Sequence, residues 1–138
     1  MTPKQIQLVQ QTWAQIEPVS EAAAAIFYAR LFAIDPEASH LFAAADMSRQ
    51  RVKLVLTLGE IVRGLTGDTQ LQVKLEELGR RHVAYGVRAE HYLTVRDALM
   101  WMLGRMLAPE FPRETRDAWA AAYDLISSTM QGETKTAN

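Results

Sequence analysis

Apolar residues in this chain recur at steps of three and four from end to end, the spacing of one helix face. Ile6, Val9, Trp13 and Ile16 form the first such stripe. Thr2-Pro3-Lys4-Gln5 precedes it: Thr2 caps, Pro3 suits the first turn, and Gln5 completes a capping box. Pro18 breaks this helix. A second helix is predicted over about 20–34. Its run Ala22-Ala23-Ala24-Ala25 lets a neighbour come close, while Ile26, Phe27, Leu31 and Ile34 supply bulk. Asp35-Pro36 reads as the cap and first residue of a short helix ending near Leu41-Phe42, and 43–47 as a loop. A fourth helix, about 48–63, carries Leu54, Val55, Leu58, Ile61 and Val62. After a turn over 64–68, Asp68 or Thr69 caps a fifth helix with the stripe Leu71, Leu75, Leu78, His82; Gly86 ends it. The span 90–107 buries Val95, Leu99, Met102 and Met106, and 113–130 turns Trp119, Tyr123 and Ile126 inward.

Strand-length alternation and Asn-Gly or Asp-Gly hairpin signals are missing from the sequence. About seven helices with short connections predict an all-α fold. The length of 138 residues suits one domain over 1–138, with a core over about 3–130 and a polar tail over 131–138. The short Pro36 helix interrupts an up-down bundle and suits helices crossing steeply around a pocket.

Composition narrows the chemistry. The net charge of −1 argues against nucleic acid as a partner. With no cysteine, disulfides, thiolate zinc sites, iron–sulfur clusters and a cysteine nucleophile are excluded. No segment is apolar enough to span a bilayer or serve as a secretory leader, so the expectation is a cytoplasmic protein without a membrane partner. Oligomeric state is left between monomer and weak homodimer.

His82 is the chemical outlier, an imidazole on a core-facing stripe. Such a histidine is either a hydrogen-bonded core side chain or a ligand to something buried beside it. No nucleophile or second metal-type residue is near it in sequence. A planar iron cofactor bringing four ligands of its own would need only this one nitrogen.

The order of signals resembles the globin family. The matching stretches are Phe27-Tyr28-Ala29-Arg30-Leu31-Phe32, Asp35-Pro36, Leu41-Phe42, Leu78-Gly79-Arg80-Arg81-His82, Glu90-His91-Tyr92 and Ala118-Trp119-Ala120-Ala121-Ala122-Tyr123. The likeness covers about 3–130 and is greatest to bacterial single-domain globins, themselves similar to the globin module of flavohaemoglobins and to the Hell's Gate type.

The resemblance implies a globin fold around haem b (iron protoporphyrin IX). It makes His82 the iron ligand, its Nδ1–H bonded to a carbonyl one turn earlier, with Leu78 the candidate. Phe42 would stack on the porphyrin and Leu54 would limit ligand size. Lys53 and Arg81 would meet the propionates or stay solvated. Val87, Tyr92, Val95 and Ile126 would complete the cofactor's surroundings. Tyr28 and Gln50 would face the ligand, although the variable loop leaves Arg49 or Arg51 as alternatives to Gln50. In flavohaemoglobins a late carboxylate joins the equivalents of Tyr92 and His82; here Glu133 is nearest, one residue early. Tyr123 would bond across to another helix. His40 and His91 are expected in solvent, and Trp13, Trp101 and Trp119 in helix packing.

The implied function is reversible binding of dioxygen at ferrous iron, with carbon monoxide and nitric oxide as further ligands. Nitric oxide dioxygenation is expected if a separate reductase supplies electrons. A haem-based gas sensor and a peroxidase-like or sulfide-binding globin are the alternatives.

Overall fold

Thr2 and Gln5 exchange bonds at the head of the chain. Gln5 N–H donates to Thr2 Oγ1 at 3.1 Å, and Thr2 N–H to Gln5 Oε1 at 3.0 Å. From this capping box runs α1 (Pro3–Ile16), with Val9, Trp13 and Ile16 buried. The computed structural model describes residues 1–132. Its other helices are α2 (Ser20–Ile34), α3 (Met47–Gly64), α4 (Leu71–Ala84), α5 (Ala89–Leu107) and α6 (Arg113–Met130).

Among the described residues six α-helices stand where about seven were expected. The segment at Pro36–Phe42 is the difference: it winds as a 3-10 helix, and Asp35 starts it without a side-chain cap. Pro18 breaks the first helix as expected: α1 ends at Ile16. A 3-10 turn over Glu17–Val19 passes α1 directly into α2. Proline fits that turn because it occupies an early position, where its missing N–H has no partner to lose. The cap of α3 is Asp46, whose carboxylate accepts from the N–H groups of Ser48 and Arg49 at 3.0 and 3.4 Å. That pulls the helix start to Met47, one residue earlier than predicted.

α2 is the central helix, buried at Ala23, Ala24, Phe27, Tyr28 and Leu31. It crosses α5 closely, where Ala98 is fully buried, and α1 lies on α6. Small side chains on both crossing helices let the backbones approach. The main apolar cluster joins α1, α2, α5 and α6; Phe42, Leu54, Leu58 and Val95 pack on its margin. A second cluster joins Ile61, Leu75 and Ile126, with Leu71, Leu78 and Met130 beside it. Among the described residues no helix is long and apolar enough to cross a membrane.

α4 is the element that shapes the site. It leans on α6 and has no extensive contact with α2 or α3. Near the 65–70 turn Lys74 Nζ bridges Glu60 and Asp68, each at 3.2 Å, tying α4 to the foot of α3. Eight residues farther, about 12 Å along each helix axis, α4 reaches His82 and α3 reaches the stretch 50–54. The two helices thus hold these residues at the end away from their joint.

Candidate functional site

His82 sits in the last turn of α4, half-buried. Its Nδ1 lies 2.8 Å from the Leu78 carbonyl oxygen. A carbonyl only accepts, so Nδ1 carries the proton and Nε2 keeps its lone pair. Burial pushes the imidazole pKa down; the Leu78 bond opposes this and the Arg81 charge adds to it. The ring is therefore neutral at neutral pH, the form that binds a metal.

The backbone behind this ring is locked. Val87 N–H donates to the His82 carbonyl at 3.0 Å, and Tyr85 N–H to the same oxygen at 3.1 Å. Gly86 makes the turn at φ +92°, a conformation that side chains with a Cβ avoid. One turn before His82, Gly79 is buried against the end of α6. A Cβ built there would overlap the Met130 carbonyl. Only glycine lets the two backbones lie this close.

On α2, Tyr28 is buried at 6% exposure among rings. Its centroid lies 5.0 Å from Phe27, 5.5 Å from Phe42 and 5.9 Å from Phe32. Gln50 Nε2 donates to Tyr28 Oη at 3.3 Å. The phenol accepts this bond, so its own hydrogen stays free to donate elsewhere. Burial raises the phenol pKa, partly offset by the Gln50 bond, and Tyr28 remains an O–H donor at neutral pH. Of the three alternatives on α3, Gln50 is the one that reaches Tyr28. Arg49 points out to Asp46 at 3.8 Å and Arg51 to Ser48 Oγ at 3.5 Å.

The remaining predicted residues divide by position. Leu54 and Val95 are half-buried on the main cluster, whereas Leu78 and Ile126 belong to the second. Val87 and Tyr92 are half-buried and line one groove with Gly79. Tyr123 Oη donates to the Tyr92 carbonyl at 2.6 Å, an interhelical bond from α6 to α5. Lys53 is exposed, and Arg81 pairs with Glu77 at 3.6 Å on the wet side of α4. Glu133 lies outside the described residues.

Two expectations fail. His91 is not solvated: it is 8% exposed, and its Nδ1 accepts from Arg88 N–H at 2.8 Å, so it serves as a cap for the first turn of α5. The readable signal was its place at the third position of the helix, where a side chain can reach back to the cap. Trp101 is not an interior packing residue; it is 42% exposed, with the Arg30 guanidinium 4.1 Å from its ring centroid. Sequence reasoning also missed Phe32 in the aromatic group and the role of Gly79.

A cofactor with its own equatorial ligands fits this donor set. Among the described residues no group of three or more His, Cys, Asp or Glu could hold a bare metal ion. A single imidazole with a free Nε2, on a helix standing off from α2 and α3, suits a planar group that needs one axial nitrogen.

Comparison with known proteins agrees in fold and in family. A family model described as Globin matches residues 25–130. The chain is 29% identical over 133 residues to a flavohemoprotein of Vibrio cholerae, covering 94% of this chain and 34% of that one. A Bordetella pertussis flavohemoprotein is 28% identical over 134 residues, covering 96% and 33%. The chain thus spans about a third of the length of these curated relatives. Among solved structures, an engineered carbene transferase from Rhodothermus marinus superposes with TM-score 0.85 at 26% identity, covering 99% of this chain and 95% of that one. Ferric myoglobin of Aplysia limacina superposes at 0.83, with 19% identity over 96% and 97% of the chains, a likeness of fold. The chain belongs to the globin family.

Proposed function

We propose that the chain is a single globin domain that holds haem b through His82 Nε2 and binds dioxygen reversibly. We further propose that, with electrons from a reductase, it converts nitric oxide, dioxygen and one electron to nitrate. The observation that carries this reading is the His82 Nδ1 bond to Leu78, which leaves Nε2 with its lone pair available. Family membership and the flavohemoprotein relatives support it.

Haem supplies a redox-active iron with a coordination position for a small gas. The protein's residues do the rest. The Leu78 carbonyl holds the His82 tautomer, so that Nε2 would be ready to hold the iron. Phe42 packs against Tyr28 at the margin of the core and helps exclude water from the ligand side. Tyr28, whose hydrogen is not used in the Gln50 bond, would donate it to a partly negative ligand atom. The bond from Gln50 polarises that O–H and strengthens it as a donor. In a dry pocket such a bond slows ligand release.

Visible spectra of the ferric, ferrous and ferrous carbon monoxide forms, wild type beside His82→Ala, test the assignment. Loss of the five-coordinate ferrous spectrum in the variant, and its return with added imidazole, is the expected result. A variant spectrum identical to wild type would remove His82 from the iron.

A further inference from the structure

The face where α2, α5 and α6 meet carries a groove of about 760 Å³. Exposed apolar side chains line it: Leu93 is 72% exposed and Trp101 42%, with Met100 half-buried. Arg30, Arg96, Arg105 and Arg116 line it against two carboxylates, Asp97 and Asp117. Three arginines of this face are matched: Arg30 with Asp97 at 3.4 Å, Arg96 with Asp124 at 3.7 Å, and Arg113 with Asp117 at 3.9 Å. Arg105 and Arg116 form no ion pair among the described residues. They lie instead over the rings of Trp101 and Phe111, at 5.5 and 5.0 Å. The groove therefore presents two uncompensated guanidiniums around a half-open indole, on a chain whose net charge is −1.

We propose that this face docks a partner protein presenting an acidic patch around an apolar side chain. Tryptophan and arginine carry most of the energy at protein interfaces, and a guanidinium matches a carboxylate with two parallel bonds. Exposed apolar side chains among charged ones are the form such a surface takes. A second copy is the wrong occupant, because a two-fold contact would set the surplus arginines against each other. Nucleic acid is also disfavoured: the rest of a net-negative surface repels a polyanion, and one short groove tracks little of its backbone.

The test follows the indole N–H resonance of Trp101 in the whole purified protein, assigned with Trp101→Phe. Trp13 and Trp119, at 3% and 1% exposure, serve as internal controls. The probes are an amphipathic peptide of Glu and Leu, its Lys and Leu counterpart, and a single-stranded oligothymidine. The acidic peptide is expected to shift Trp101 alone and to bind about tenfold tighter than the basic one. The double variant Arg105→Glu, Arg116→Glu, both exposed residues, should reverse that preference. The proposal is overturned by any of four results: no shift, equal binding of both peptides, no effect of the double variant, or tighter binding of the oligonucleotide. A Trp101 signal that moves with protein concentration alone would assign the face to a second copy and overturn it too.

Discussion

Gly79→Ala tests whether the crossing of α4 on α6 positions His82. Two opposed effects meet at this residue. In an open helix the change stabilises by about 1 kcal/mol, because alanine is the better helix former. Here the added methyl would lie 2.6 Å from the Met130 carbonyl carbon, where ordinary contact begins at 3.4 Å, and its overlap with the carbonyl oxygen is worse. The obstacle is backbone, so no rotamer change relieves it. The helices must separate by about 1 Å locally, and overpacking of this kind costs about 3 kcal/mol at the upper end of its usual range. Overlap outweighs propensity, leaving a net loss of about 2 kcal/mol. For a chain of this size the thermal midpoint falls by roughly 6–10 °C.

Gly104→Ala is the matched control in α5. There the methyl meets the Phe111 ring at 3.6 Å, an ordinary contact, so the same substitution should raise the midpoint. Circular dichroism melts of the two variants beside wild type give the comparison. Because Gly79 is three residues before His82, the haem-loaded variant should also show a shifted iron–histidine stretching band in its Raman spectrum. Equal melting of Gly79→Ala and wild type would refute the packing argument. A lowered midpoint with an unshifted band would confine Gly79 to stability and remove it from the positioning of His82.

The other predictions are shorter. Tyr28→Phe should speed dioxygen release in stopped flow by roughly tenfold, the loss of one hydrogen bond in a dry pocket; an unchanged off-rate would take Tyr28 off the ligand. Gln50→Leu should give a smaller acceleration, because Gln50 acts on Tyr28 through the 3.3 Å bond, and the double variant should match Tyr28→Phe alone. Tyr123→Phe removes the 2.6 Å bond to the Tyr92 carbonyl and should cost about 1 kcal/mol in urea unfolding. Burial raises the pKa of Tyr28, Tyr92 and Tyr123 above the ordinary 10.0. The folded state then holds these protons longer than the unfolded chain. Stability from this source is complete below pH 10.0 and declines as pH rises beyond it, so alkaline melts should steepen there and flatten in the three Phe variants.

What could be read from the sequence, and what could not, follows the range of the forces involved. The Thr2 and Gln5 capping box was legible because both partners lie within one turn. The His82 bond to Leu78 was expected from the resemblance to globins, and it too lies within one turn. Apolar spacing also marked α6 correctly, since Trp119, Tyr123 and Ile126 share its buried face. His91 escaped notice although its cap partner Arg88 is only three positions away; Trp101 and Gly79 escaped because their partners come from elsewhere in the chain. Trp101 lies off the Val95, Leu99, Met102, Met106 stripe, and Arg30 from α2 covers its ring at the surface, a pairing that no periodicity encodes. Gly79 reads as a helix-weakening residue until the end of α6, some fifty positions away, is laid against it. The Tyr28 and Gln50 bond also joins residues far apart in the chain, 22 positions across α2 and α3; the resemblance to globins put both on the ligand side, with Arg49 or Arg51 left as alternatives to Gln50. Local chemistry therefore orients the His82 ring, while tertiary packing decides whether Tyr28 and Gln50 come together. That division makes the double variant at Tyr28 and Gln50 more informative than either single change: additivity would show two independent donors, and non-additivity one donor tuned by the other.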